Sequence, residues 1–314
     1  MAQHRMRVVT QSQFGGPEVL KMSTAELPKA LPTEVLIRVK AIGVNPIEAF
    51  IRSGAFPMLG APPFVLGWDI SGVVEEVVPG VNRFKVGDEV FGMPLFPRQA
   101  GAYAEFIAAP SRQLALKPKS LDHTHAAALP LVGLTAYQSL IEVANVRPDQ
   151  RVLIHGAAGG CGHIAVQLAK LNGAEVIATA SASKHEFLRS LSVDQIVDYN
   201  AVDFAEVVRD VDVVVETIGN GYAQRSLRTL KDGGLLITIV ERTNTALERE
   251  TVSAGKRFAG ISVEPDYVAL ERLAELVDTG GLKIHVERTF PLEDVAAAHG
   301  ALDGSTKGKI VLTT

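Results

Sequence analysis

The run Arg151-Val-Leu-Ile-His-Gly-Ala-Ala-Gly-Gly-Cys-Gly162 passes from an apolar strand to a helix through a turn almost free of side chains. Bare backbone N–H groups at the start of a helix, with the positive end of its dipole behind them, form an anion site. Ala157, Gly159 and Gly162 spell A-x-G-x-x-G, a relaxed form of the dinucleotide fingerprint. The segment Ala157, Ala158, Gly159, Gly160, Cys161, Gly162 is therefore the candidate pyrophosphate cradle. Glycine-rich turns also join strands to helices in proteins that bind nothing, so the flanks decide.

The flanks complete a βαβ unit. Ile164, Leu168 and Leu171 recur at helical spacing from a start near Gly162, Gly173 ends the helix, and Glu175-Val-Ile-Ala-Thr-Ala180 reads as the next strand. An NAD-selective site places Asp or Glu about 20 residues past the glycines, where it bonds the ribose hydroxyls. Here the tract is Ser181-Ala-Ser183-Lys184. Two hydroxyls and a cation favour a 2′-phosphate, which predicts NADP(H) over NAD(H). The alternative for Ser183 and Lys184 is a solvated helix start. Cys161 is either a thiol whose pKa the helix dipole lowers or a small residue tolerated below the phosphates.

Two textures divide the chain. Residues 1–122 carry short strands between Pro and Gly turns, at 35–42, 70–78, 89–91 and 103–107, and read as all-β. Residues 123–280 alternate apolar strands (151–155, 175–180, 195–198, 211–216, 234–240, 257–263) with helices, the pattern of a doubly wound parallel sheet. Strand ends at Ile218-Gly219 and at Val240 border the expected cofactor crevice. Residues 281–314 return to strand character and are expected to complete the first domain; the polar stretch 242–255 reads as a mobile loop.

Charge narrows the partners. With 31 basic and 35 acidic residues, net −4, and no basic block, nucleic acid is not an expected partner. The N-terminus lacks a signal-peptide run, and no stretch of about 18 apolar residues occurs, so no membrane association and a cytoplasmic protein are expected. One cysteine excludes an intrachain disulfide and a multi-cysteine zinc site, and the eight histidines show no metal-site spacing; no metal is expected.

Several further motifs stand in order: Gly43-Val-Asn-Pro-Ile-Glu-Ala-Phe-Ile-Arg-Ser-Gly54, Gly67-Trp-Asp-Ile-Ser-Gly-Val-Val74, Val86-Gly-Asp-Glu-Val-Phe91, Gly133-Leu-Thr-Ala-Tyr137 and Gly308-Lys-Ile-Val-Leu312. With the glycine turn, they resemble the zinc-independent quinone oxidoreductase branch of the medium-chain dehydrogenase/reductase superfamily. The resemblance implies an α/β chain, with a GroES-like β-barrel-type catalytic domain and a Rossmann domain. It implies a homodimer paired through the strand Phe258–Val263. It also implies a position beside the adenosine 2′-phosphate for Tyr199, whose alternative is a surface tyrosine. Asn45 and Trp68 stand where zinc relatives place a cysteine and a histidine ligand. Phe56 stands where enoyl thioester reductases carry a tyrosine, and Phe50 where some quinone reductases do.

Hydride chemistry on an ordinary carbonyl needs a metal or a tyrosine–lysine pair to meet the developing alkoxide. The active-site segments show neither. An acceptor that delocalises its own charge, a small apolar quinone or conjugated enone, fits such a site. Asn45 either orients the acceptor oxygen or bonds backbone in the turn before Pro46. Tyr137 either bonds substrate or cofactor at a helix start, or packs with its hydroxyl at a domain boundary. Phe50, Phe56, Phe64, Trp68 and Met93 are substrate-wall or core residues, and Glu48, Arg52 and Asp69 read as salt bridges fixing loops. Enoyl thioester reduction and cofactor binding with little turnover are the competing readings.

Overall fold

The computed structural model describes residues 5–314. In chain order the strands are β1 (Arg5–Thr10), β2 (Lys21–Glu26), β3 (Glu34–Val44), β4 (Asp69–Val77), β5 (Glu89–Gly92), β6 (Phe106–Pro110), β7 (Leu114–Leu116), β8 (Arg151–Ile154), β9 (Glu175–Thr179), β10 (Gln195–Val197), β11 (Val211–Glu216), β12 (Leu230–Thr238), β13 (Arg257–Gly260), β14 (Val286–Pro291) and β15 (Lys309–Thr313). The α-helices are α1 (Pro46–Ser53), α2 (His123–Ala127), α3 (Pro130–Tyr137), α4 (Gly160–Leu171), α5 (His185–Ser190), α6 (Phe204–Val207), α7 (Tyr222–Ser226), α8 (Thr245–Ser253), α9 (Tyr267–Asp278) and α10 (Val295–Gly300). The described residues divide into two compact units, one of residues 5–134, 264–280 and 284–314, the other of 135–263 and 281–283.

The first unit is built on β3. Its neighbours follow the order β14-β15-β3-β4-β5-β7, and β6 also pairs with β3. Val35, Ile37, Val39, Ala41 and Ile42 on this strand are fully buried. Register shifts between β3 and β4 bend the sheet near Val39. There Gly72 lies so close to β3 that a Cβ would stand 2.7 Å from Ile37 Cγ2, so only glycine fits.

The all-β reading of this half needs correction at residues 46–53. Asn45 precedes Pro46 at the first helical position, Glu48 accepts from the Asn45 N–H at 2.8 Å, and Gly54 closes the helix with φ 83°. These are helix start and stop signals. The helix α9, expected with the second half, groups with the first unit. Arg83 bonds Glu271 at 2.7 Å and stacks 3.9 Å from the Tyr267 ring centroid, while the Ser120 N–H and hydroxyl both bond Asp278.

The second unit is a six-stranded parallel sheet in the order β10-β9-β8-β11-β12-β13. Strands buried on both faces read as continuous apolar runs. Leu153, Ile177, Val214 and Leu236 accordingly lie at the centre of a core closed by Phe204 and Leu247. Removing each such side chain from water contributes roughly 1.5–3 kcal/mol. The polar stretch 242–255 is mostly helix. Asn244 caps α8 by accepting from the Ala246 and Leu247 N–H groups, and Leu247 and Thr251, one turn apart, are buried. A short inward stripe on an otherwise charged helix is too sparse to register as periodicity. Among the described residues, no helix is long and apolar enough to cross a membrane.

Candidate active site

In the first unit, strand register brings three distant residues to one place. Ile310 pairs with Val44 and Gly43 with Asp69, so Lys309, Asn45 and Asp69 stand at the same end of β15, β3 and β4. All three are buried. Lys309 Nζ donates to Asn45 Oδ1, to the Val44 carbonyl at 2.9 Å and to Asp69 Oδ2 at 3.4 Å. Asn45 Nδ2 donates to Asp69 Oδ2 at 3.0 Å, and Asp69 Oδ1 accepts the Leu131 N–H at 2.8 Å. Burial pushes the Asp69 carboxyl above its ordinary value, against the pull of Lys309 and the Asn45 amide.

Next to this group runs a second buried chain. Tyr103 donates its hydroxyl to Glu48 Oε2 at 2.6 Å and contacts His299 Nε2 at 2.8 Å, while His299 Nδ1 lies 2.9 Å from Arg52 Nη1. A guanidinium only donates, so His299 Nδ1 accepts from Arg52 and Nε2 carries the proton that bonds Tyr103. Every hydrogen bond in the chain therefore points toward Glu48. Burial, reinforced by Arg52, holds His299 neutral, with its pKa lowered to about 3. Burial raises Glu48 to about 7, since the bonds from Tyr103 and the Asn45 N–H only partly offset the loss of water. Glu48 Oε1 has no hydrogen-bond partner.

Glu48 and Arg52 thus meet through a phenol and an imidazole, and the ion pair of Asp69 is with Lys309. Sequence reading grouped Glu48, Arg52 and Asp69 but missed Lys309, Tyr103 and His299. The available signal was a lysine opening the apolar strand Lys309-Ile-Val-Leu, a polar residue where the pattern calls for burial. The Asn45 amide bonds Lys309 and Asp69, and its Nδ2 also donates to the Gly43 carbonyl at 3.4 Å, a backbone bond in the turn before Pro46. Phe64, Trp68 and Met93 are core, whereas Phe50 is exposed and Phe56 half-buried. Tyr137 closes α3, where the chain runs directly on into a π-helical stretch, Gln138–Val143, so it lies within a continuous helical segment rather than at a helix start, half-buried.

In the second unit the glycine turn has the expected form. Gly156 has φ 60°, α4 begins at Gly160, and no side chain caps its N-cap residue Gly159. A Cβ on Gly162 would stand 2.6 Å from Ala157 Cα, so the glycine lets helix and turn meet. Ala157 and Ala158 are buried, and Cys161 is half-buried. β9 and β10 are parallel neighbours, with Thr179 opposite Val197. That register sets the turn holding Ser181, Ser183 and Lys184 beside the one holding exposed Tyr199, with Ser181 Oγ 3.2 Å from Ser183 Oγ. Ile218, Gly219 and Val240 follow the neighbouring strands β11 and β12, with Ile218 and Val240 exposed and Gly219 at φ 74°. Glycines shaped to bare the backbone and an open helix start fit the phosphates of a dinucleotide.

The residues at the zinc positions do not fit a metal. Asn45 faces an ammonium, and the indole N–H of Trp68 donates to the Arg98 carbonyl at 2.7 Å. Among the described residues, no three His, Cys, Asp or Glu side chains gather to hold one.

The position of Glu48 has a consequence for stability. An unfolded chain releases this proton near pH 4.5, whereas the folded protein keeps it to about 7. Across that window the native state binds more protons, so this carboxyl lowers stability as pH rises. Glu48→Gln, which resembles the protonated acid, removes that decline. Relative to wild type, the variant gains about 2–3 kcal/mol between about pH 5 and about pH 8 in urea unfolding. Parallel pH curves for the two proteins would show that Glu48 does not retain its proton.

Comparison with known proteins places this architecture. Residues 31–119 match the family described as alcohol dehydrogenase GroES-like domain, and residues 191–312 the family described as zinc-binding dehydrogenase. The chain is 32% identical to a quinone oxidoreductase of Pongo abelii, across 99% of this chain and 98% of that one. It is 37% identical to a 2-haloacrylate reductase of a Burkholderia species, across 95% and 96%. A solved quinone oxidoreductase from Coxiella burnetii superposes with TM-score 0.95 at 34% identity, covering 99% of this chain and 100% of that one. The Escherichia coli quinone oxidoreductase complexed with NADPH superposes at TM-score 0.86 and 29% identity, covering 98% and 100%. On this end-to-end likeness, the chain belongs to the quinone oxidoreductase branch of the medium-chain dehydrogenase/reductase superfamily and is an oxidoreductase of that family.

Proposed function

We propose that this oxidoreductase is a zinc-independent reductase that uses NADPH to reduce a quinone or a conjugated enone. The observation that carries the reading is the inward commitment of Asn45, Asp69 and Lys309, which bond one another and the backbone. Groups spent in this way do not meet an alkoxide. The acceptor must then supply its own electron sink, as a quinone does when hydride addition leaves a phenolate. The names of the two relatives, quinone oxidoreductase and 2-haloacrylate reductase, denote acceptors of that conjugated kind.

A nicotinamide nucleotide, when bound, supplies the hydride. The glycine turn and the uncapped start of α4 would hold its phosphates, with Ile218, Gly219 and Val240 along the second half of the sheet. Ser181, Ser183, Lys184 and Tyr199 support NADPH over NADH, because hydroxyls and an ammonium complement a 2′-phosphate. Asn45 serves as a positioning residue that fixes Lys309 and Asp69, and Tyr137 is proposed to contact cofactor or substrate. The edge position of β13 supports a homodimer formed by pairing with a second copy.

Three measurements test the reading. NADPH oxidation in a strong chelator is expected with a naphthoquinone or an enone and not with a simple aldehyde. Turnover of a crotonyl thioester alone would favour enoyl reduction, silence would favour cofactor binding without turnover, and loss of activity with the chelator would restore a metal. Lys184→Glu is expected to weaken NADPH relative to NADH by about tenfold, about 1.4 kcal/mol; an unchanged preference removes the 2′-phosphate assignment. Light scattering is expected to give a dimer that Ser262→Pro, at an exposed position of the segment Phe258–Val263 whose N–H faces away from β12, converts to monomer, and a wild-type monomer would overturn the pairing.

A further inference from the structure

Glu216, the last residue of β11, is fully buried. Its Oε1 accepts the backbone N–H groups of Ile218 and, at 2.6 Å, Gly219, and its Oε2 accepts the Thr238 hydroxyl at 2.8 Å. Thr238 Oγ1 itself accepts the Glu241 N–H at 3.0 Å, which leaves the hydroxyl proton for Glu216. All three bonds end on Glu216 as acceptor, the pattern of an ionised carboxylate. None of the donors is a cation. The charge is held by dipoles alone and stays uncompensated in a dry setting, where its field is weakly screened.

Its place in the sheet gives that field a target. In a doubly wound sheet the first βαβ half, here β8 to β10, takes the adenosine end of a dinucleotide, and the second half, opening with β11, takes the other. Glu216 closes β11 at the switch between β8 and β11 and shapes the turn carrying Ile218 and Gly219. The oxidised nicotinamide ring is a cation, and the reduced ring is neutral.

We infer that Glu216 biases the bound nicotinamide couple toward its oxidised form, and so toward giving up hydride, by holding an uncompensated negative charge at the Ile218–Gly219 turn. The inference rests on the cofactor reading above. It gives the carboxylate a role beyond fixing the turn, because a merely structural group would affect both redox forms alike. The phosphates are common to NADP⁺ and NADPH, so their contribution cancels in the ratio of the two dissociation constants.

Calorimetric titration of the full chain with NADP⁺ and with NADPH at neutral pH reads that ratio without turnover. Glu216→Gln keeps an oxygen for Ile218 and Gly219 and an amide for Thr238, and is expected to raise Kd(NADP⁺)/Kd(NADPH) about tenfold. Thr238→Val keeps the charge, loses the hydroxyl and should leave the ratio within about twofold of wild type. Val240→Lys, at an exposed position beside Gly219, brings an opposing charge and should shift the ratio in the direction of Glu216→Gln. If Glu216→Gln does not fold, Glu216→Met, also neutral and of similar length, is read in its place, with the same rise expected and an unchanged ratio overturning the inference. An unchanged ratio in Glu216→Gln, or an equal shift in Thr238→Val, overturns the inference and leaves the cofactor reading standing. Failure of the wild-type protein to bind either nucleotide overturns both.

Discussion

The first unit depends on one buried ammonium. Lys309 reaches three oxygens from two places in the chain, the Val44 carbonyl and the adjacent Asn45 amide, and the Asp69 carboxylate. An ammonium at that depth without partners costs several kcal/mol, and a carboxylate left alone costs as much. The pair is tolerated because each polar atom has a partner: Asn45 bridges to Asp69, and the Leu131 N–H takes the other carboxylate oxygen. Such bonds are directional, so they fix the ends of β15, β3 and β4 to one register. The start of α1 follows, because Asn45 is at once a member of the cluster and the N-cap of that helix.

The two units divide the handling of charge differently. In the first, opposite charges are buried together and their fields largely cancel. In the second, Glu216 is buried with neutral donors and its field persists. His155, at the end of β8, shows a third arrangement: both ring nitrogens are met by hydroxyls, of Thr179 and Ser226, and burial keeps the imidazole neutral. Buried polar groups in this chain are thus paired, left as a net charge or neutralised, and each choice has a different electrostatic reach.

Parallel strands were the easiest part to read from sequence. Val152-Leu-Ile154 and Val213-Val-Val215 are apolar throughout because both faces are covered, and glycine turns mark their ends. The glycine turn was legible for a related reason: Gly156 and Gly162 answer to backbone geometry within a few residues. The polar cluster was not legible, since Lys309 and Asp69 are far apart in sequence and meet only through sheet pairing. The segment 46–53 shows a local signal outvoted by its surroundings, with Asn45, Pro46, Glu48 and Gly54 spelling a helix among strands. Glu216 looked like one more residue of a strand because its partners are backbone N–H groups, which leave no mark on the side-chain pattern.

The position of β15 bears on the order in which the protein can assemble during synthesis. This strand lies between β14 and β3, inside the sheet. Residues 309–313 leave the ribosome after the strands of the second unit, all six of which are by then available. Until that moment residues 41–44 of β3 have an open edge, and Asp69 has no ammonium beside it. The half made first is therefore the half finished last, and a nascent chain must protect one open end of a strand and a buried acid while its second unit closes.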